Sequence, residues 1–153
     1  MKLHAKACFA RLWIMLLFTV LSMVSVSAVS FAVSIGQRCQ GGIVFYVDGS
    51  GQHGLVAATR DLPGQYDWQG AKEACERFVD GGFSDWYLPD KRDLNQLYLH
   101  QNAFRGFAED CYWSSTEERS GRACYQAFGG LFEGQYLGGS TDIRCRVRPV
   151  REF

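Results

Sequence analysis

The 153-residue sequence contains no low-complexity tract, no heptad array and no block of like charge. Disorder, coiled coil and collagen are thereby excluded. Cations and acids balance at 16 each, the pI is about 6.8, and no basic run occurs, which argues against nucleic-acid binding. No Cys-x-x-Cys or closely spaced His/Cys set is present, so a structural zinc site is not expected. Ser114-Ser115 lacks a Gly-x-Ser-x-Gly elbow, and nothing accompanies Cys111 or Cys124 that would activate a thiolate. The sequence predicts no enzyme, no metal and no cofactor.

The chain is rich in aromatics, at 14%, with 17 glycines and six cysteines. Its neutrality averages two unlike segments. Lys2, Lys6 and Arg11 precede an uncharged run from Leu12 to Ile35, whose apolar centre is Leu12–Leu21. Small residues follow at Val26-Ser-Ala28 and Ser30-Phe-Ala32, the layout of a secretory signal peptide over residues 1–32. The run is also about long enough, at ~20 residues, to persist as an uncleaved anchor. The remaining 33–153 read as one domain with 13 cations against 16 acids, a net charge of −3. An exported protein is expected, periplasmic, surface-exposed or secreted, and disulfides fit that compartment. The mature part holds five cysteines, Cys39, Cys75, Cys111, Cys124 and Cys145, an odd number that leaves at least one thiol unpaired within the chain.

Along that domain, Gly41–Val47 and Gly54–Ala58 read as a hairpin closed by Asp48-Gly-Ser-Gly51. Gly49-Ser-Gly-Gln-His-Gly54 matches a dinucleotide fingerprint on paper, but a strand rather than a helix follows it. Ala71, Ala74, Cys75 and Phe78 fall at helical spacing behind a capping Asp67. Asp90, with Asp93 three residues on, caps a second helix from about Lys91 to His100. Strands are predicted at Tyr112–Thr116, Ala123–Phe128, Leu131–Tyr136 and Arg144–Val150. The class is α+β: N-terminal hairpin, two helices, antiparallel meander.

In the last run Arg144, Arg146 and Arg148 share one face. They form either an internal ion-pair ladder, with Asp85, Asp90, Glu109 and Glu117 as available partners, or an anion-binding stripe. The polar turn Glu117–Arg122, with Arg119, and Tyr136 on the following run complete the candidate ligand-binding residues.

Seven ordered stretches carry a family resemblance: Gly41–Asp48, His53–Ala58, Trp68 ahead of an Ala/Cys helix, Phe83-Ser-Asp-Trp-Tyr-Leu-Pro-Asp-Lys91, Leu94-Asn-Gln-Leu-Tyr98, Tyr112-Trp-Ser-Ser-Thr-Glu117 and Arg146–Phe153. Together they resemble the C-terminal domain family of the Legionella collagen-like adhesin, over about residues 35–153. The resemblance implies a C-type-lectin-like fold in an exported or surface-attached bacterial protein. It also implies adhesin-like binding of a glycan or glycosaminoglycan, or of a cell-envelope protein, with membrane contact only through an uncleaved N-terminal segment. A structural subunit of a surface or pilus-like assembly is the alternative, and an enzyme on a lectin-like scaffold the third. The collagen-like repeat of that adhesin and the calcium-dependent sugar motifs of true C-type lectins are both absent here. Lectin-like folds commonly staple the first helix to the last strand, which implies a Cys75–Cys145 disulfide. The pairing of Cys39, Cys111 and Cys124 stays open.

Overall fold

The computed structural model describes residues 33–153, Arg105 excepted, so the predicted export segment lies outside the described residues. The short β1 (Arg38–Cys39) opens a four-stranded antiparallel sheet with β2 (Gly42–Val47), β3 (Gly54–Ala57) and β7 (Val150–Glu152), in the order β1-β2-β3-β7. A three-stranded antiparallel sheet contains β4 (Cys111–Arg119), β5 (Arg122–Ala127) and β6 (Tyr136–Ser140). Two helices, α1 (Trp68–Glu76) and α2 (Lys91–Leu99), lie between them in the chain. The α+β class, the hairpin and both helices stand as the sequence predicts.

Each helix starts where its cap dictates. The Asp67 carboxylate accepts from the Gly70 N–H at 2.7 Å, and Asp90 Oδ1 accepts from the N–H groups of Arg92 and Asp93 at 2.7 and 2.8 Å. Ala71 and Cys75 of α1 and Leu94 and Leu97 of α2 are buried, as the 3.6-residue period requires. The β2–β3 turn closes on Asp48, whose Oδ1 accepts from Ser50 N, Ser50 Oγ and Gly51 N. The glycines of the paper fingerprint are thus turn residues leading into a strand.

Successive residues of β4 point to opposite sides, and both sides are filled. Tyr112 packs with Phe45, Leu94, Leu97 and Phe128, while Trp113 packs with Leu62, Ala71, Leu88 and Val147. A further cluster of Val44, Val56, Ala58 and Trp86 backs the first hairpin. Gly81 marks the tightest backbone approach: its φ is +60°, and a Cβ there would lie 2.5 Å from the Gly41 Cα. No helix among the described residues is long and apolar enough to cross a membrane.

Two predicted strands differ. Leu131–Tyr136 is a short 3₁₀ turn at Gly130–Phe132 followed by β6, because Gly130 and Gly134 adopt φ of +77° and +78°. Its apolar residues face solvent, with Leu131 97% exposed. Arg144–Val150 is not one strand either. Cys145 bridges Tyr66, Arg146 bridges Tyr112, and only Val150 onward joins a sheet. The segment is extended but its partners change from residue to residue: Leu62 and Ala58 donate to Val147 and Pro149 on one side, and Trp113 donates to Arg146 on the other. Pro149, without an N–H, cannot continue a ladder.

Candidate functional site

The arginines of that segment differ in burial, and Arg148 points fully inward. Arg148 is 1% exposed, and its Nε donates to Asp61 Oδ1 at 2.6 Å. Its two other nitrogens donate to the Ala58 and Gly106 carbonyls at 3.1 and 3.0 Å, and the guanidinium lies 4.1 Å over the Phe107 ring. Asp61 Oδ2 accepts from the Tyr112 hydroxyl at 2.6 Å, which itself accepts from Ala108 N–H. Burial, and then the bond to Asp61, push the Tyr112 phenol well above its ordinary pKa. Arg146 pairs with Asp110 at 3.0 Å, and Asp110 also accepts from Gln65 and from Cys111 N–H. Arg144 alone of the three is exposed, donating to the Gln65 carbonyl. Two of the three arginines are therefore ion-paired, Arg146 at the surface and Arg148 inside, and Arg148 is corrected as a ligand-binding residue because no ligand can reach it. Their acids are Asp110 and Asp61, not Asp90, Glu109 or Glu117. The loops that bring them alongside are remote in sequence.

A fourth arginine completes the set. Arg151 forms two bonds with the carboxylate of Asp85, at 2.7 and 2.8 Å, reaches Gln40, and stacks 3.9 Å over Phe83. The hydrogen bond from Arg151 holds the Asp85 carboxyl below its ordinary pKa.

The other candidates do not form one site. Glu117 and Arg119 are exposed on the β4 end of the β4–β5 hairpin. Arg122 is tied to Glu118 at 3.4 Å and to the Gly138 carbonyl. Tyr136 begins β6 opposite Gln126, far along the strand from Arg122, which pairs with Ser140. The Tyr136 hydroxyl donates to the Lys91 carbonyl at 2.7 Å, and the Lys91 ammonium sits 4.7 Å from its ring centre. Burial, and then the Asp90 charge, push the Tyr136 phenol up to about 12.

The disulfide joins Cys111 to Cys145, with Cα atoms 5.0 Å apart, in place of the expected Cys75–Cys145 pair. The cause is the bridge between β4 and the arginine segment, in which Arg146 N–H donates to the Cys111 carbonyl at 2.8 Å. Cys75 instead packs as a free, fully buried thiol among Ala71, Leu88 and Trp113, and burial pushes it up to about 12. Cys39 and Cys124 are also free.

One cleft that the sequence reading missed has a volume of about 460 Å³. Its floor is a row across the first sheet, in which Tyr46 pairs with Leu55 and Leu55 with Glu152. Tyr87, Asp90 and Asp93 from the start of α2 line it, as do Asp48 and His53 of the β2–β3 turn, and Phe153. Burial, and next the Asp90 charge, raise the Asp93 pKa, against an opposing Asp90 N–H. Burial, followed by Asp93, raises the Tyr87 phenol as well. The signal available in sequence was the acidic pair Asp90 and Asp93, fully accounted for by helix capping. Among the described residues no set of three His, Cys, Asp or Glu side chains is arranged to hold a metal ion.

A hairpin whose sheet is completed by the C-terminal strand, two capped helices and an antiparallel meander place the molecule among the α+β domains. More narrowly, the model of the Lcl C-terminal domain matches residues 37–151, and the chain belongs to that family. No curated protein matches the chain.

Proposed function

We propose that this is an exported bacterial recognition domain, adhesin-like and non-enzymatic, that binds a glycan or protein at the cell envelope or surface. Family membership over most of the chain is the observation that carries the reading. The site chemistry supports it: Cys111 is consumed by a disulfide and Cys75 and Cys124 are buried, which leaves neither Cys111 nor Cys124 as an accessible nucleophile. The test is binding of the full chain to a glycan array and to heparin at low salt, alongside pull-downs from envelope fractions. Retention on a glycan or a discrete envelope protein is expected. Silence in all three assays refutes the proposal.

The exposed tip at Leu131 and Phe132, 97% and 55% accessible, favours a second reading as a subunit of a surface assembly. A stable monomer in solution with no cross-linked partner in cells counts against it.

A further inference from the structure

We propose that the cleft beside the start of α2 receives the cationic side chain, arginine or lysine, of a partner protein. The inference rests on the reading of the domain as a recognition module and names what this part of it recognises.

Two independent features converge there. The first is charge without a counter-charge. Four carboxylates, Asp48, Asp90, Asp93 and Glu152, line the cleft, and among the described residues His53 is its only basic side chain. Among the described residues no cation lies within ion-pair distance of Asp48, Asp93 or Glu152, and Asp90 has only the outlying Arg92 at 3.8 Å. This contrasts with the interior, where Arg146, Arg148 and Arg151 each have a carboxylate. The like charges already press on one another at Asp93, and an incoming cation relieves that repulsion.

The second feature is shape and material. The volume of about 460 Å³ lies in the range of ligand clefts and is walled by three aromatic rings, Tyr46, Tyr87 and Phe153. Tyr46 is 41% exposed, and with Leu55 it gives the floor an apolar strip between Asp48 at one end and Glu152 at the other. A lysine or arginine stem fits that strip while its charged head meets the carboxylates and the ring faces. A bare divalent ion fits poorly, because among the described residues no three of the carboxylates form a ligand group. An anionic ligand is repelled. An amino sugar carries the charge but lays hydroxyls rather than methylenes on Leu55.

The test uses the full chain and an acetylated, amidated Gly-Gly-Arg-Gly-Gly peptide, with the citrulline peptide as its uncharged twin and a glucosamine dimer as the sugar cation. Binding is read by calorimetry at low salt. The arginine peptide is expected to bind at least tenfold more tightly than the citrulline peptide, and the preference should shrink as salt rises. Asp93→Asn combined with Glu152→Gln should weaken the arginine peptide tenfold or more, roughly the value of one lost charge-assisted bond. Circular dichroism and the urea midpoint verify that this variant stays folded, as removal of like charges favours. Equal affinity for the two peptides, or a double variant that binds as well as the parent, overturns the inference. So does a glucosamine dimer that outcompetes the arginine peptide in the parent alone. Glycan or envelope binding that persists without any preference for arginine sinks the cleft assignment and spares the recognition reading. A cleft that selects arginine in a chain retained by no surface does the opposite.

Discussion

Replacing Arg148 by alanine removes the guanidinium that holds three separate segments of chain. Its nitrogens satisfy Asp61, the Ala58 carbonyl and the Gly106 carbonyl, and its plane covers Phe107. The Asp61 side chain is only 10% exposed, so the variant strands a carboxylate and two carbonyls out of water. Removing one partner of a buried pair costs about 3–5 kcal/mol, mainly through the charge left behind. For a domain of this size that corresponds to a fall in Tm of roughly 10–20 °C. Arg148→Lys keeps the charge but cannot span three acceptors with a single ammonium, and should lose about 2 kcal/mol. The informative comparison is Arg148→Met with Asp61→Leu, which removes both charges but still leaves the Ala58 and Gly106 carbonyls without their donor and Tyr112 without its acceptor. It should be less destabilised than Arg148→Ala, since no unpaired ion remains. Urea unfolding followed by tryptophan fluorescence measures all three, with midpoints compared at constant m. The reasoning fails if Arg148→Ala costs under 1 kcal/mol, or if the double variant is the least stable.

Cys111→Ser and Cys145→Ser should each destabilise the oxidised protein by about 4 kcal/mol in the chain-entropy model for a separation of 34 residues, with Cys75→Ala showing no redox dependence; nonreducing peptide mapping that recovers a Cys75–Cys145 peptide contradicts this. Because Arg151 lowers the Asp85 pKa in the folded state, that pair stabilises above the ordinary aspartate pKa and its contribution disappears as pH falls through the depressed value. Asp85→Asn should therefore flatten the acid limb of the midpoint–pH curve, modestly because Asp85 is 60% exposed. Asp93 has the opposite sign. Its raised folded pKa favours folding below the ordinary value and loses that advantage as pH rises through the raised one, so Asp93→Asn should stabilise at pH 7, by less than about 1 kcal/mol, and be neutral in acid. Gly81→Ala should cost about 1–3 kcal/mol in urea unfolding, from positive φ and the Gly41 backbone in its way.

What was legible in the sequence was local. Asp67 and Asp90 announce their helices because a cap needs only the next three residues, and the β2–β3 turn is written in Asp48 and its glycines. What the sequence leaves open or misplaces shares the opposite property. Alternation of arginine with Cys145 and Val147 was visible, but whether the arginine side faces water depends on the Asp61 and Asp110 loops, 87 and 36 residues away. The disulfide turned on the same long-range bridge, which sets Cys111 beside the arginine segment and leaves Cys75 in an apolar cluster. Leu131 and Phe132 looked like strand residues because hydrophobicity was read as burial, while flanking glycines at positive φ make them a turn. The cleft was illegible for another reason: capping fully explains Asp90, so nothing in the sequence signals that its helix start overhangs Tyr46, Leu55 and Glu152.

These placements alter the meaning of the net charge. The region 33–153, with 13 cations and 16 acids, looks nearly balanced, but a charge neutralised inside the fold does not act on an approaching ligand. Arg148 and Arg151 are withdrawn behind the surface, Arg146 is half withdrawn, and each neutralises one carboxylate, of which Asp85 stays 60% exposed. The field outside is set by what remains, and its distribution is uneven. Asp48, Asp90, Asp93 and Glu152 share one concavity, where low-dielectric walls concentrate their field. A single cationic group meets four carboxylates at once. The arginine-rich C-terminal segment instead joins the two sheets, through the bridge of Arg146 to Tyr112 and the strand Val150–Glu152, and the four carboxylates of the cleft are neutralised by none of its arginines.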